Sequence, residues 1–227
     1  MKAASIAVVL FSGGQDSTTC LYWARERFER VVALSIHYGQ RHSVEVEAAR
    51  TIAAAAGVEH EVLEVGRILR GTSPLVSDNP VGQYDSANDL PGGVEPTFVP
   101  ARNALFLVLA ANVATVLGAH DLVTGVCEAD FGGYPDCRRS FIDSMEQTLG
   151  LGIDGEADAF RVHTPLMELT KADTVRLAQA LPGCMEALAH SHTCYRGERP
   201  ACGKCHACII RARGFDEAGV VDPISGQ

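Results

Sequence analysis

The chain has no apolar run approaching the ~20 residues that a membrane span requires, no internal repeat and no low-complexity segment. It also lacks an excess of basic charge: 19 basic against 28 acidic residues leave a net charge of −9. That balance argues against broad attachment to nucleic acid backbones, so no direct nucleic acid partner is expected. Lys2 and the apolar residues behind it have the charge and core of a secretion signal, but no small-x-small cleavage site precedes Gln15 and Asp16. The run is read as a strand. Together these absences point to a cytoplasmic enzyme with no membrane partner.

What is present suits an ordinary globular protein: 227 residues, 47% hydrophobic and 21% charged. That length holds one full α/β domain and a small appendage. Ser5 to Phe11 forms a continuous apolar run, as in a strand buried on both faces of a parallel sheet. A helix is expected from about Ser17 to Phe28, a second strand from Val31 to His37, and a helix from Ser43, its N-cap, to a stop at Gly57. "EHEVLEV" is a third strand and "HDLVTGV" a fourth; "NALFLVLAANVATVLG", "RRSFIDSMEQTL" and "TKADTVRLAQAL" are helices, the last capped by Thr170. "RVHTPL" fits an edge strand. Strands alternating with helices predict a doubly wound, mostly parallel sheet. Residues 66–100, rich in Gly, Pro, Asn and Asp, are too long for a simple connection and are expected to be a functional loop or lid.

Between the first strand and its helix lies "FSGGQDSTTC". Such a turn presents backbone N–H groups and a helix N-terminus to an anion. Gly13 and Gly14 allow close approach of phosphate, and Ser12, Ser17 and Thr18 add hydroxyl donors. The Lys-Ser or Lys-Thr of the common nucleotide loop is missing, and Asp16 stands beside the phosphate position instead. A carboxylate there needs a cation between it and the phosphates, so Mg²⁺ is expected near Asp16. The pattern Ser-Gly-Gly-x-Asp-Ser resembles the pyrophosphate loop (PP-loop) of the ATP-pyrophosphatase superfamily. That resemblance implies an adenine nucleotide α-hydrolase-like fold in which an oxygen nucleophile attacks the α-phosphorus of ATP. A plain strand–helix turn is the alternative.

Four of the eight cysteines fall within fifteen residues near the C-terminus, spaced C-x₇-C-x₂-C-x₂-C at Cys194, Cys202, Cys205 and Cys208. Clustering of this kind favours metal in a reducing compartment over a disulfide framework. Four thiolates close a tetrahedral zinc shell, which makes the site structural. An iron–sulfur cluster is the competing reading, and His190, His192 and His206 are rival ligands. The expected division is an ATP-binding α/β domain over 1–185 and a zinc-binding segment over 186–227 packed on it.

"FSGGQDSTTCL", "HYGQRHSVEVEAA", "TFVPARNALFL", "TGVCEADFGGYPDCR", "TPLMELTKAD" and "TCY…CGKCHACIIRARGF" together resemble the 7-cyano-7-deazaguanine synthase family, in order, from Phe11 to about Phe215. Ala101 departs from it where glycine is expected before the Arg-Asn pair, and residues 69–94 match loosely. The resemblance implies a ligase that turns 7-carboxy-7-deazaguanine and ammonia into the 7-nitrile with Mg-ATP as co-substrate, through an adenylated acid and an adenylated amide. It also implies a homodimer.

Under that reading Phe11, Ser12, Gly13, Gly14, Gln15, Asp16, Ser17, Thr18 and Thr19 hold ATP, with Ser35, His37 and Tyr38 near the adenine. Asp16, Lys171 and Arg102 are the catalytic candidates, the two cations neutralising charge at the phosphates; Arg41 and His42 are weaker ones. Phe98, Arg102, Glu128, Asp130, Phe131, Tyr134 and Asp136 are candidates for the deazaguanine, the carboxylates accepting its N–H groups and the rings stacking on it. Cys137 is expected to be a bystander or a pocket wall. Other readings of the same residues are a PP-loop tRNA thiolase, an enzyme transferring a deazaguanine to a macromolecule, and a zinc-ribbon binding module on an inactive nucleotide domain.

Overall fold

A computed structural model of the chain describes residues 5–40, 44–128 and 133–225. Five parallel strands form the sheet in the order β3-β2-β1-β4-β5: β1 (Ile6–Leu10), β2 (Arg30–His37), β3 (Glu59–Glu64), β4 (Asp121–Val123) and β5 (Arg161–His163). The order reverses at β1, which therefore sits at the centre with its C-terminal end opening into the crevice where doubly wound folds bind ligands.

The apolar run of β1 is explained by burial on both faces. Ala7 and Val9 join one core with α1 (Gln15–Arg25), α2 (Val44–Ala56), α5 (Lys171–Ala180), α6 (Cys184–Leu188) and Phe215 of α7 (His206–Ala218). Val8 joins a second core with α3 (Arg102–Val116) and α4 (Arg139–Ile153). Leu21 and Leu107 are fully buried, one on each side, so truncating either to alanine costs about 2–5 kcal/mol.

Several boundaries differ from those expected. α1 begins at Gln15, inside the glycine loop, because Thr18 N already bonds Gly14 O at 3.0 Å. α4 runs past Leu149 to Ile153. The glycine at 150, which would ordinarily stop a helix, is required there, since a Cβ would lie 2.3 Å from Glu156 O. β4 is shorter than "HDLVTGV" because the chain leaves the sheet to lay Gly125 against Asp16. α6 and α7 are additional; α7 starts within the cysteine cluster and stops at Gly219 in the left-handed conformation. Thr170 caps α5 by accepting from Asp173 N at 3.1 Å. Ser43, the expected cap of α2, lies outside the described residues.

The 66–100 segment is docked at its middle and at its C-terminal end. Val81 is buried among Cys194, Cys205 and Cys208, and Tyr84 N donates to Lys204 O at 2.8 Å. Further on, Thr97 Oγ1 lies 2.7 Å from the Tyr134 hydroxyl, and Phe98 packs on the Tyr134 ring at 5.3 Å. No helix among the described residues is long and apolar enough to cross a membrane.

Candidate active site

The loop after β1 is built by its own hydroxyls. Ser17 Oγ accepts from Ser12 N at 3.2 Å, lies 3.1 Å from Ser12 Oγ and donates to Gly14 O at 3.2 Å. Gly13 has φ +80, and a Cβ on it would lie 2.6 Å from Ala49 N and 2.7 Å from Glu45 O. The glycine therefore lets the loop press against the first turns of α2. From behind, His192 N donates to Gly13 O at 3.0 Å. The segment leading to the cysteines thus braces the loop directly.

Asp16 projects from the first turn of α1 and meets Lys171 from the first turn of α5. Lys171 Nζ donates to both carboxylate oxygens, at 2.8 and 2.7 Å. Lys171 is only 10% exposed, and its stem lies across Gly214 of α7, where a Cβ would fall 2.6 Å from Lys171 Cγ. A glycine in mid-helix, ordinarily unfavourable, is what makes room for this cation.

These residues open onto one cavity of about 350 Å³, within the range of small-molecule sites. Of the residues expected to act, Phe11, Ser12, Gly14, Gln15, Asp16, Ser17, Ser35, Tyr38, Arg102, Tyr134 and Lys171 line it. Gln15 is buried, and among the described residues neither its amide nitrogen nor its oxygen has a partner. Ser35 Oγ donates to Phe11 O at 2.6 Å and lies 2.8 Å from His60 Nε2, which fixes the end of β2. Cys137 is part of the wall.

Other expected residues stand back from the cavity. Thr18 and Thr19 are buried inside α1, Thr19 Oγ1 donating to Gln15 O at 3.0 Å. His37 pairs with Glu64 at 2.5 Å. Phe98 supports the Tyr134 ring. Asp136 and Glu128 serve two helix N-termini: Asp136 Oδ2 accepts from Asn103 N at 3.4 Å and Glu128 Oε2 from Arg139 N at 3.0 Å. Asp130, Phe131, Arg41 and His42 lie outside the described residues.

Two cavity residues carry no signal of their own in the sequence. Glu45 on α2 is turned to the cavity by the close approach of α2 to Gly13. Burial pushes its carboxyl up to about 7, with Cys194 adding to the rise and Arg102 opposing it. Tyr195 follows Cys194 and reaches the same wall. Burial works against the charge of Arg102, but Tyr38, Tyr195 and Tyr134 more than offset this, and its pKa is raised. Burial likewise raises Tyr134 to about 12. Cys20 and Cys184 belong to the core, where burial raises both thiols, Cys184 to about 12, so neither is a nucleophile.

The sulfurs of Cys194, Cys202, Cys205 and Cys208 all lie within 4.8 Å of one another, with Cys202 and Cys208 at 3.9 Å. A tetrahedral zinc with bonds of ~2.3 Å sets its sulfurs about 3.8 Å apart. The cluster could hold a metal ion, and its spacing and all-sulfur donor set fit zinc.

Comparison with known proteins is consistent along the chain. Residues 6–219 match the family described as "Queuosine biosynthesis protein QueC". A 7-cyano-7-deazaguanine synthase of Gloeobacter violaceus is 59% identical, covering 96% of this chain and 94% of its own. One from Laribacter hongkongensis is 49% identical, with 96% and 93% covered. A solved structure, a predicted subunit of tRNA methyltransferase from Methanocaldococcus jannaschii, aligns with a TM-score of 0.50 at 20% identity over 77% of this chain and 74% of that one. It supports the fold alone.

Proposed function

The chain belongs to the QueC family of queuosine biosynthesis proteins, and from that premise we propose that its cavity makes 7-cyano-7-deazaguanine from 7-carboxy-7-deazaguanine, ammonia and ATP. The observation that carries this reading is the single cavity that joins a PP-loop to an aromatic, arginine-bearing wall. It matches a reaction in which ATP and a flat heterocyclic acid meet.

A carboxylate is a poor electrophile, and a nitrile keeps neither of its oxygens. Attack of a carboxylate oxygen on the α-phosphorus of ATP expels pyrophosphate and leaves the acyl adenylate. Ammonia displaces AMP, which carries away the first oxygen, and gives the amide. Attack of the amide oxygen on a second ATP expels a second pyrophosphate. Loss of AMP and both amide N–H protons then yields the nitrile. Backbone N–H groups of the loop and the hydroxyls of Ser12 and Ser17 hold the departing pyrophosphate. Lys171, locked on Asp16, supplies positive charge there, and Mg²⁺ bound with ATP would offset phosphate charge near Asp16. The end of β2, around Ser35, receives the adenine.

Zinc on the four cysteines is structural. Residues 186–227 form the zinc-binding segment packed on the ATP-binding domain of 1–185. The outward faces of α3 and α4, with Val108, Val116, Leu151 and Ile153 exposed, support a homodimer. The net charge of −9 supports an enzyme acting on small molecules with no nucleic acid partner, and the clustered cysteines support a reducing, cytoplasmic setting. Incubation with the acid, ammonium and Mg-ATP should give the nitrile by mass spectrometry; absence of nitrile from protein that still consumes ATP would overturn the proposal.

A further inference from the structure

The cavity holds two side-chain cations from α3 and α5, and their surroundings differ. Lys171 is committed to the PP-loop through both oxygens of Asp16. Arg102, the first residue of α3, forms no salt bridge with a described carboxylate, but Glu45 and Asp136 lie close enough for its charge to oppose the rise that burial gives both carboxyls. It is hydrogen-bonded to Tyr38 and flanked by Tyr134 and Tyr195. The Tyr38 hydroxyl satisfies an N–H group without cancelling charge. Arg102 is half-buried in the cavity wall and is not locked in a salt bridge with a described residue, so its guanidinium is available to an anionic ligand.

Aromatic surface surrounds the same point. Tyr38 packs on Phe106 at 5.3 Å, Tyr134 packs on Phe98 at 5.3 Å, and Tyr38, Phe106, Tyr134 and Tyr195 all line the cavity. Such rings suit a flat heterocycle better than a polyphosphate. The planar guanidinium fork matches a carboxylate bidentately. Resting on the reaction proposed above, we infer that Arg102, oriented by Tyr38, receives the carboxylate of the deazaguanine acid, leaving the phosphates to Lys171 and the loop.

A carboxylate-binding Arg102 affects the two half-reactions unequally, whereas a phosphate-binding one does not. The acid reaches the site as an anion, whereas the amide of the second half-reaction is neutral. Arg102 donates to an oxygen of each, but only the acid gains the attraction between opposite charges. Loss of the guanidinium therefore penalises the first half-reaction more than the second.

The test supplies wild-type protein, Arg102→Gln, Arg102→Lys and Tyr38→Phe with either the acid or the synthetic 7-amide, Mg-ATP, and ammonium for the acid. Arg102→Gln is expected to raise KM for the acid about 10- to 100-fold more than KM for the amide, with KM for ATP unchanged. Arg102→Lys keeps the charge and should fall between. Tyr38→Phe should raise KM for the acid by a few fold. An unchanged circular dichroism spectrum and thermal midpoint show that the variants are folded. Equal losses on acid and amide with a raised KM for ATP would place Arg102 on the phosphates and overturn the inference, as would unchanged kinetics. Should wild-type protein convert neither compound, the proposed reaction itself fails, a result distinct from either.

Discussion

Replacing Arg211 with methionine should destabilise the protein more than any surface substitution, and the structure sets the size. Arg211 is 2% exposed. Its Nε and Nη2 donate to the two oxygens of Asp222 at 2.7 and 2.8 Å, and its Nη1 to Ser191 Oγ at 2.8 Å and Thr193 Oγ1 at 3.0 Å. Methionine can fill much of the volume but leaves the Asp222 carboxylate, 15% exposed, without its cation. Breaking a buried pair in this way costs about 3–5 kcal/mol. At roughly 2–4 °C per kcal/mol for a chain of this size, Tm should fall by about 6–20 °C. Removing both charges with Arg211→Met and Asp222→Leu should restore much of the loss, since the penalty lies in the orphaned carboxylate. Thermal and urea unfolding at matched metal content measure both. A loss under about 1 kcal/mol for the single variant, or a double variant no better than the single, would refute this account of how residues 188–193 are held behind the PP-loop.

Three further outcomes follow from particular positions. Ala101 has φ 63, a left-handed conformation in which a Cβ is strained, so Ala101→Gly should raise stability by about 1 kcal/mol, read as a higher urea midpoint. Burial raises Glu45 to about 7, so the folded state binds a proton that the unfolded chain has already released above the ordinary glutamate range. Its contribution to stability is fully present at low pH and is lost as pH rises from about 4.5 to 7, and Glu45→Gln should flatten that decline in a pH series of unfolding curves. Chelation should release one metal ion per chain and expose residues 66–100 to protease, because Val81 is buried among the cysteines and Tyr84 bonds Lys204; an unchanged digestion pattern would show that the segment is held without metal.

The parts of the site legible in the sequence are those that one stretch of chain builds by itself. β1, its glycine loop and Asp16 are contiguous, so an apolar run followed by Ser-Gly-Gly declares them. The cysteines are legible because two-residue gaps point sulfurs at one ion. The Lys171–Asp16 contact spans 155 residues and needs Gly214 on a third helix to make room, so the sequence offers Lys171 as a candidate without its partner. Glu45 and Tyr195 were beyond reach for the same reason: tertiary packing, not local pattern, turns them to the cavity. α7 was hidden because a glycine interrupts it and its first turn reads as a metal motif. Glu128 and Asp136 look like ligands in "GVCEADFGGYPDC", yet their described bonds serve helix N-termini, a use that depends on which helix lies nearby.

The central claim is that the PP-loop drives adenylation of the acid and then of the amide. Its most direct test is to count nucleotide products per nitrile formed, by chromatography of quenched single-vessel reactions containing the acid, ammonium and Mg-ATP. The account predicts two AMP for each nitrile, one AMP when the amide is supplied instead, and no ADP. Formation of ADP, or equal AMP yield from acid and amide, would contradict it.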